Sequence, residues 1–141
     1  MECHLRKSHA HQKLQLFANM KTTTPQMAYE YFSKQNTFRV GPMQLMERMN
    51  TNHRPSLVDV RDLQSFQAGH LPGAVNIPEN SWDAPAGLSR SAVNILYCHG
   101  AVCHLAAHAA ERFAALGYQV AILEGGYSTW AEVGLPIEKA S

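Results

Sequence analysis

The sequence lacks long apolar runs, and this absence bears first on membrane association. No stretch of the chain approaches the roughly 20 consecutive apolar residues that a membrane-spanning helix needs. The apolar stretch near the amino terminus, residues 14–17, is interrupted by Gln15 and is too short for the core of a signal peptide. We therefore expect a protein of the cytoplasm that does not associate with membranes.

Cysteine and net charge are also scarce. There are three cysteines, an odd number, and the formal net charge is +1. A structural disulfide framework is therefore not expected, and in a reducing compartment the chemistry of a cysteine thiol is the better interpretation. Residues 37–141 carry seven Lys or Arg against nine Asp or Glu and show no basic stripe, so binding to nucleic acid is not indicated.

The chain consists of a polar amino-terminal segment followed by one domain. Residues 1–23 lack a sustained periodicity and are predicted to form a disordered tail. The tail contains Cys3 and three histidines without rigid spacing, so metal binding there is the weaker alternative, and Met20 offers an alternative translation start. The domain is predicted to span residues 24–141, which is long enough to bury a core without disulfides.

Helical and strand patterns alternate along this domain. Thr24 and Pro25 form a helix N-cap followed by proline at the first helical position. Short, continuously apolar strands are typical of a parallel sheet that is covered on both faces. We therefore predict an α/β fold with a central parallel sheet of about five strands flanked by helices. The predicted helices cover residues 24–36, 42–49, 104–116 and 126–130, and the predicted extended segments cover residues 37–40, 56–60, 74–77, 92–97 and 119–123.

Cys98 follows directly on the strand pattern of residues 92–97, and a short loop then leads into a helix. Sites in α/β sheets form at the carboxyl ends of strands, and the N–H groups of such a loop, with the helix N-terminus, stabilise an anion. A thiol there is expected to have a pKa below that of a free cysteine and to be a good nucleophile. Gly100 would permit the turn. The alternative is an inert, buried cysteine.

Two histidines flank this loop. His99 and His104 are candidate proton donors or sources of positive charge, and the alternative is that both are simply exposed. His108 lies one turn beyond His104, so these two side chains with Cys98 and Cys103 form a conceivable zinc set. No paired C-x-x-C spacing supports a zinc site, and neither a metal nor another cofactor is expected.

Four motifs are distributed between residues 57 and 138 of the predicted domain. They read L-V-D-V-R-D at 57–62, F-Q-A-G-H-L-P-G-A-V-N-I-P at 66–78, Y-C-H-G-A-V-C-H-L-A-A at 97–107 and L-E-G-G-Y-S-T-W-A-E-V-G-L-P-I-E at 123–138. In this order and at these separations they resemble the rhodanese family. The resemblance implies a small α/β domain in which Cys98 takes sulfur from a donor such as thiosulfate. The persulfide so formed would pass its sulfur to cyanide, a thiol or a protein acceptor.

The resemblance also assigns roles to the residues around Cys98. The N–H groups of the loop would surround the terminal sulfur. Asp59 and Arg61 match the family's acidic and basic pair near the site, and we interpret them as an orienting ion pair. The expected partners are small sulfur donors and acceptors or a sulfur-relay protein, and the expected state is a monomer or weak dimer. The loop continues from Cys98 through His99, Gly100, Ala101, Val102 and Cys103, and the matching framework positions are His70, Gly73, Gly126 and Trp130.

The charges of the loop depart from those of thiosulfate-using members of the family. Such members often carry Arg or Lys within the loop, whereas the loop of this chain carries none. Some also have a basic residue four positions after the arginine of D-V-R, where this chain has Ser65. We therefore predict weak activity with thiosulfate, and a natural donor that is another persulfide, a polysulfide or a partner protein.

Cys103 is a second departure, because a thiol five residues after the nucleophile can reach it on a curled loop. It would attack the persulfide, release sulfide and leave a disulfide with Cys98, provided that the two Cα atoms lie within roughly 7 Å. The alternative is that Cys103 is a small buried residue at the helix start.

Two other functions of the protein stay open, a redox or persulfide-sensing module and a non-catalytic binding domain. A cysteine phosphatase is disfavoured, because His104 stands where phosphoryl binding needs an arginine and the loop lacks the extra residue of phosphatases. Arsenate reduction stays open, although no motif in the sequence points to it.

Overall fold

The computed structural model describes residues 23–140. The tail predicted for residues 1–23, with its metal-binding alternative, lies outside the described residues except for Thr23. Helix α1, Pro25–Phe38, begins as the sequence predicts, because the Thr24 hydroxyl oxygen accepts the N–H of Met27 at 3.2 Å. The chain divides after Gln35 into two units, and the sheet belongs to the second.

The described residues form one five-stranded sheet in which every neighbouring pair is parallel. This confirms the α/β fold with a parallel sheet of about five strands. The spatial order is β1-β5-β4-β2-β3, so β4 lies at the centre, and all four of its residues are buried. The strands are β1 Arg39–Val40, β2 Ser56–Asp59, β3 Val75–Asn76, β4 Asn94–Tyr97 and β5 Val120–Leu123.

Helices cover both faces of the sheet. The sequence did not predict α3, because six residues are too few to show a helical period. The helix forms locally, since Asp62 caps it by accepting the N–H of Ser65 at 2.8 Å. The helices that follow α1 are α2 Pro42–Met49, α3 Leu63–Ala68, α4 Leu105–Ala115 and α5 Gly126–Glu132, and a single 3₁₀ turn covers Glu79–Ser81.

The alternation of side chains along β4 decides where Cys98 faces. Successive residues of a strand point to opposite faces of the sheet. Ile95 and Tyr97 pack into the core that contains Trp130, whereas Leu96 and Cys98 pack into the core that contains Phe113 of α4. Cys98 therefore lies on the α4 face, at the carboxyl end of the central strand. Among residues 23–140, no helix has the length and apolar character needed to cross a membrane.

Candidate active site

Cys98 lies at the bottom of a small cavity. The residue is almost completely buried, with 3% exposed, yet it lines a cavity of about 130 Å³ at the carboxyl edge of the sheet. The cavity lies between the loop after β4, the start of α4, and the ends of β1 and β5. Its lining residues are Arg39, Cys98, Gly100, Ala101, Cys103, His104, Ala106, Ala107, Ile122, Leu123, Glu124, Gly125 and Gly126.

The loop from Cys98 to Cys103 curls back on itself. The N–H of Cys103 donates to the carbonyl of Gly100 at 3.1 Å, which closes a turn. The Cys98 thiol then lies 3.3 Å from the carbonyl oxygen of Cys103 and donates to it. Both cysteines are free thiols, and both line the same cavity. The curl that the sequence predicts for this loop is therefore present.

The start of α5 holds the loop in place from the other side. The N–H of Tyr127 donates to the carbonyl of Cys98 at 2.9 Å, and the N–H of Ser128 donates to the carbonyl of His99 at 2.8 Å. A Cβ atom at Gly126 would lie 2.6 Å from the Cys98 carbonyl oxygen, and the backbone there has φ +59°. Glycine is needed at this position for both reasons.

Gly100 has a different role from the one that the sequence suggests. Its backbone does not adopt a positive φ, so the turn itself does not require glycine there. A Cβ atom at this position would instead lie 2.8 Å from the Ser128 hydroxyl. The expectation that Gly100 serves the turn is therefore wrong, and the missing side chain gives room to α5.

The pKa of Cys98 runs opposite to the sequence-based expectation. Burial raises the pKa of this thiol above that of a free cysteine, and the neighbouring Cys103 sulfur raises it further. The N–H groups of Ala106 and Gly100 act in the opposite sense but do not overcome the desolvation. The prediction of a lowered pKa at Cys98 is therefore wrong, because it counted the N–H groups of the loop and not the depth of the thiol.

Cys103 is the thiol of the pair that ionises more readily. Burial acts to raise the pKa of Cys103, but the net direction is downward because the adjacent Cys98 thiol stabilises its thiolate. The N–H groups of Leu105 and His99 add to this lowering. Backbone N–H groups therefore act to lower the pKa of both thiols, but only at Cys103 is the net direction downward.

The two flanking histidines lie on different sides of the loop. His104 lines the cavity, where it is exposed just before α4. His99 points away from it, and its Nε2 atom lies 3.9 Å from the Asp62 carboxylate. His108 lines a separate groove with Trp82 and Glu111. The conceivable zinc set is not assembled, and within residues 23–140 no three His, Cys, Asp or Glu residues come together as metal ligands.

Asp59 and Arg61 form a buried ion pair that does not line the Cys98 cavity. The Arg61 guanidinium contacts the Asp59 carboxylate at 2.7 Å. Arg61 is 3% exposed and Asp59 is 0% exposed. Arg61 also donates to the carbonyl of Gly69 at 2.6 Å and lies 4.1 Å from the centre of the Tyr127 ring. Burial acts to lower the pKa of Arg61, but the bonds to Asp59 prevail and raise it, so the guanidinium stays charged. The pair supports the start of α5, which in turn holds the loop.

Two charged residues of the cavity were missed by sequence reasoning. Glu124 follows β5 directly, and the rule that sites form at the carboxyl ends of strands points to it. Arg39 is the first residue of β1 and pairs in register with Ile122 of β5. No local signal marks Arg39, because its approach to the cavity depends on β1 lying beside β5.

Comparison with known proteins shows which family this chain resembles. Residues 42–133 match the model of the rhodanese-like domain. The chain is 38% identical over 87 residues to an HTH-type transcriptional regulator of Mycobacterium tuberculosis, and the matched region covers 61% of this chain and 38% of that protein. It is 33% identical over 125 residues to a Synechococcus elongatus protein named "Putative thiosulfate sulfurtransferase", and the matched region covers 71% of this chain and 38% of that protein.

A solved structure agrees with these matches. The crystal structure of the BH2092 protein from Bacillus halodurans is similar with a TM-score of 0.74 and 32% identity, over 82% of this chain and 87% of that one. The chain spans about two fifths of the length of the two curated relatives named above. Because the family model covers well over half of the sequence, and the sheet and its helices agree with it, the chain belongs to the rhodanese-like domain family.

Proposed function

We propose that the protein is a sulfurtransferase that carries sulfane sulfur as a persulfide on Cys98. The observation that carries the proposal is a cysteine at the carboxyl end of the central strand that lines a cavity beside the start of α4, where the N–H groups of Ala106 and Gly100 favour its anion. Such N–H groups stabilise the anion of a thiol or of a persulfide. Membership of the rhodanese-like family, with a relative named as a thiosulfate sulfurtransferase, supports the same assignment.

The reaction proceeds in two displacements. The Cys98 thiolate attacks the sulfane sulfur of the donor, a new S–S bond forms, and the bond between that sulfur and the rest of the donor breaks. The electron pair of the broken bond leaves on sulfite, a thiolate or a shortened polysulfide. A thiol, cyanide or protein acceptor then attacks the terminal sulfur, and the Cys98 thiolate leaves with its electron pair.

The Cys98 thiol must lose its proton before the first displacement. Because burial raises the pKa of Cys98, only a small fraction of this thiol is ionised at neutral pH. The thiol donates to the carbonyl oxygen of Cys103 at 3.3 Å, and its proton is released to solvent when it ionises. The fraction of reactive thiolate therefore increases as the pH rises.

Intact mass spectrometry of the reduced protein tests the proposal directly. Incubation with polysulfide should add one sulfur atom, with a smaller fraction modified by thiosulfate because the loop carries no Arg or Lys. The Cys98→Ala variant should lose this gain, and a Cys3→Ala variant should keep it. A gain that persists in Cys98→Ala would contradict the role of Cys98, and no gain from either donor would favour a non-catalytic binding domain.

A second candidate function is a dithiol–disulfide module, and the curl of the loop favours it. The Cys98 sulfur and the Cys103 carbonyl oxygen are 3.3 Å apart, and both residues line one cavity. In this function the Cys103 thiolate attacks the Cys98 sulfur of the persulfide, hydrosulfide leaves with the electron pair, and a disulfide remains. A mass loss of two hydrogens after mild peroxide, absent in Cys103→Ala, would support the module. A mass that stays unchanged would rule it out.

A further inference from the structure

The charged residues around the Cys98 cavity indicate which charges a sulfur donor should have. Apart from the titratable cysteines and His104, the residues that line the cavity include one cation, Arg39, and one anion, Glu124. Both side chains are exposed at the rim. An anionic donor such as thiosulfate is attracted by the first and repelled by the second, so these charges give it little net attraction.

The backbone fixes these two residues on neighbouring strands. Arg39 pairs with Ile122, and Val40 pairs with Leu123. The N–H of Glu124 then donates to the carbonyl of Val40 at 2.9 Å, which ties the two strands together just beyond the ladder. The two side chains therefore start from backbone positions that the sheet holds fixed.

Neither side chain has a charged partner within the described part of the chain. The ion pairs of residues 23–140 involve Asp59, Asp62, Asp83 and Glu138 as acids, and neither Arg39 nor Glu124 takes part in them. An exposed cation and an exposed anion on one small cavity, each without an ion-pair partner among residues 23–140, are complementary to a ligand that carries both charges.

We infer that the cavity binds a persulfide of the amino-acid type, with its carboxylate at Arg39, its ammonium group at Glu124 and its sulfane sulfur at Cys98. This inference rests on the proposed function and names the class of its donor. The cavity volume of about 130 Å³ is below the roughly 300–1,000 Å³ of pockets that hold drug-sized ligands. A donor of the size of a single amino acid is therefore favoured over a tripeptide.

The transfer conserves atoms and electrons. The Cys98 thiolate attacks the terminal sulfur of R–S–SH, the new S–S bond forms, and the bond from that sulfur to R–S breaks. The electron pair leaves on the R–S thiolate, which takes up the proton that Cys98 released. The products are the Cys98 persulfide and the free amino-acid thiol, and no other oxidant or reductant takes part.

The test compares three persulfides, each prepared from its disulfide and sodium hydrosulfide. Cysteine persulfide carries both charges, N-acetylcysteine persulfide lacks the ammonium group, and cysteamine persulfide lacks the carboxylate. The rate of sulfur gain on Cys98, followed by mass spectrometry, should be highest for cysteine persulfide. We expect about a threefold loss for each missing charge, the size typical of an exposed ion pair.

Variants that remove one charge each identify which side chain binds the ammonium group of the donor and which binds its carboxylate. Glu124→Gln should remove the preference for cysteine persulfide over the N-acetyl compound, and Arg39→Gln should remove the preference over cysteamine persulfide. Glu132→Gln and Arg48→Gln are matched controls, because both residues are exposed and neither lines the cavity. Equal rates for the three persulfides, or preferences that survive in both variants, would overturn the inference. A Cys98 that gains no sulfur from any donor, polysulfide included, would instead contradict the proposed function.

Discussion

The two sides of the Cys98 loop differ in how they hold their charges. Beneath the start of α5, Asp59 and Arg61 are buried and paired with each other at 2.7 Å. At the cavity, Arg39 and Glu124 are exposed, and neither takes part in an ion pair among residues 23–140. Both pairs combine one acid with one arginine, and both lie close to the loop.

This difference distinguishes residues that stabilise the structure of the site from residues that are available to bind a ligand. A buried charge loses its hydration, so it must be paired inside the protein, and its partner cannot be exchanged without a large cost. An exposed, unpaired charge keeps its water and can exchange it for a ligand. Asp59 and Arg61 contact the start of α5 through Tyr127, whereas the donor contacts that we propose involve Arg39 and Glu124.

The largest expected effect concerns the buried pair. Asp59→Ala leaves the Arg61 guanidinium buried without its carboxylate, and losing one partner of a buried pair costs about 3–5 kcal/mol of unfolding free energy. Urea denaturation followed by circular dichroism measures this loss. The double variant Asp59→Ala/Arg61→Met should be less destabilised than the single one. The exposed substitution Arg48→Gln should stay within about 0.5 kcal/mol of the unmodified protein, and a similarly small loss for Asp59→Ala would contradict the comparison.

The next effect concerns the contact between α5 and the loop. Gly126→Ala introduces a Cβ atom 2.6 Å from the Cys98 carbonyl oxygen, so the loop or the helix must move. Gly134→Ala is a matched control, because its φ of +78° is also positive but no atom lies within 4 Å of the added carbon. Both variants carry the backbone strain of about 1–2 kcal/mol for a side chain in the left-handed region. Only Gly126→Ala should also lower the rate of sulfur gain at Cys98, and equal rates in the two variants would count against the loop contact.

A third prediction uses the pKa directions of the two thiols. Since the Cys103 sulfur raises the pKa of Cys98, Cys103→Ala should move the titration of Cys98 to lower pH. The ultraviolet absorbance of the thiolates over a pH series measures this, with the double variant Cys98→Ala/Cys103→Ala as the baseline. In the unmodified protein Cys103 should ionise first and Cys98 last, so sulfur gain should increase as the pH rises. A Cys98 titration that is unchanged in Cys103→Ala would contradict the interaction between the two sulfurs.

The sequence predicts the sheet well because its signals are local. The apolar run that ends at Tyr97 and the glycine-containing loop after Cys98 place the thiol at the carboxyl end of a strand, as the structure has it. The same local signals miss α3, whose formation depends on a single cap at Asp62. Periodicity needs several turns, and a six-residue helix does not provide them.

Properties that depend on neighbours in space could not be predicted from the sequence. The pKa direction of Cys98 depends on how deeply α4 covers the thiol, and the pattern of loop N–H groups carries no information on depth. The presence of Arg39 at the cavity depends on β1 pairing with β5, although the paired residues Arg39 and Ile122 are 83 positions apart in the sequence. The order of parallel strands is set by packing across the whole domain, which single-sequence patterns do not contain.

The smallest expected effect distinguishes the two histidines, which the sequence treats alike. His104 lines the cavity, so its ring can donate a hydrogen bond to the leaving thiolate, whereas His99 lies beside Asp62 on the other side of the loop. His104→Ala should slow sulfur gain from polysulfide by roughly twofold to fivefold, within the range of one hydrogen bond. His99→Ala should leave the rate unchanged. Because both side chains are exposed, neither variant should alter stability, and any difference in rate then reflects the cavity. A loss confined to His99→Ala would place the leaving group on the Asp62 side and reverse the assignment of the two sides.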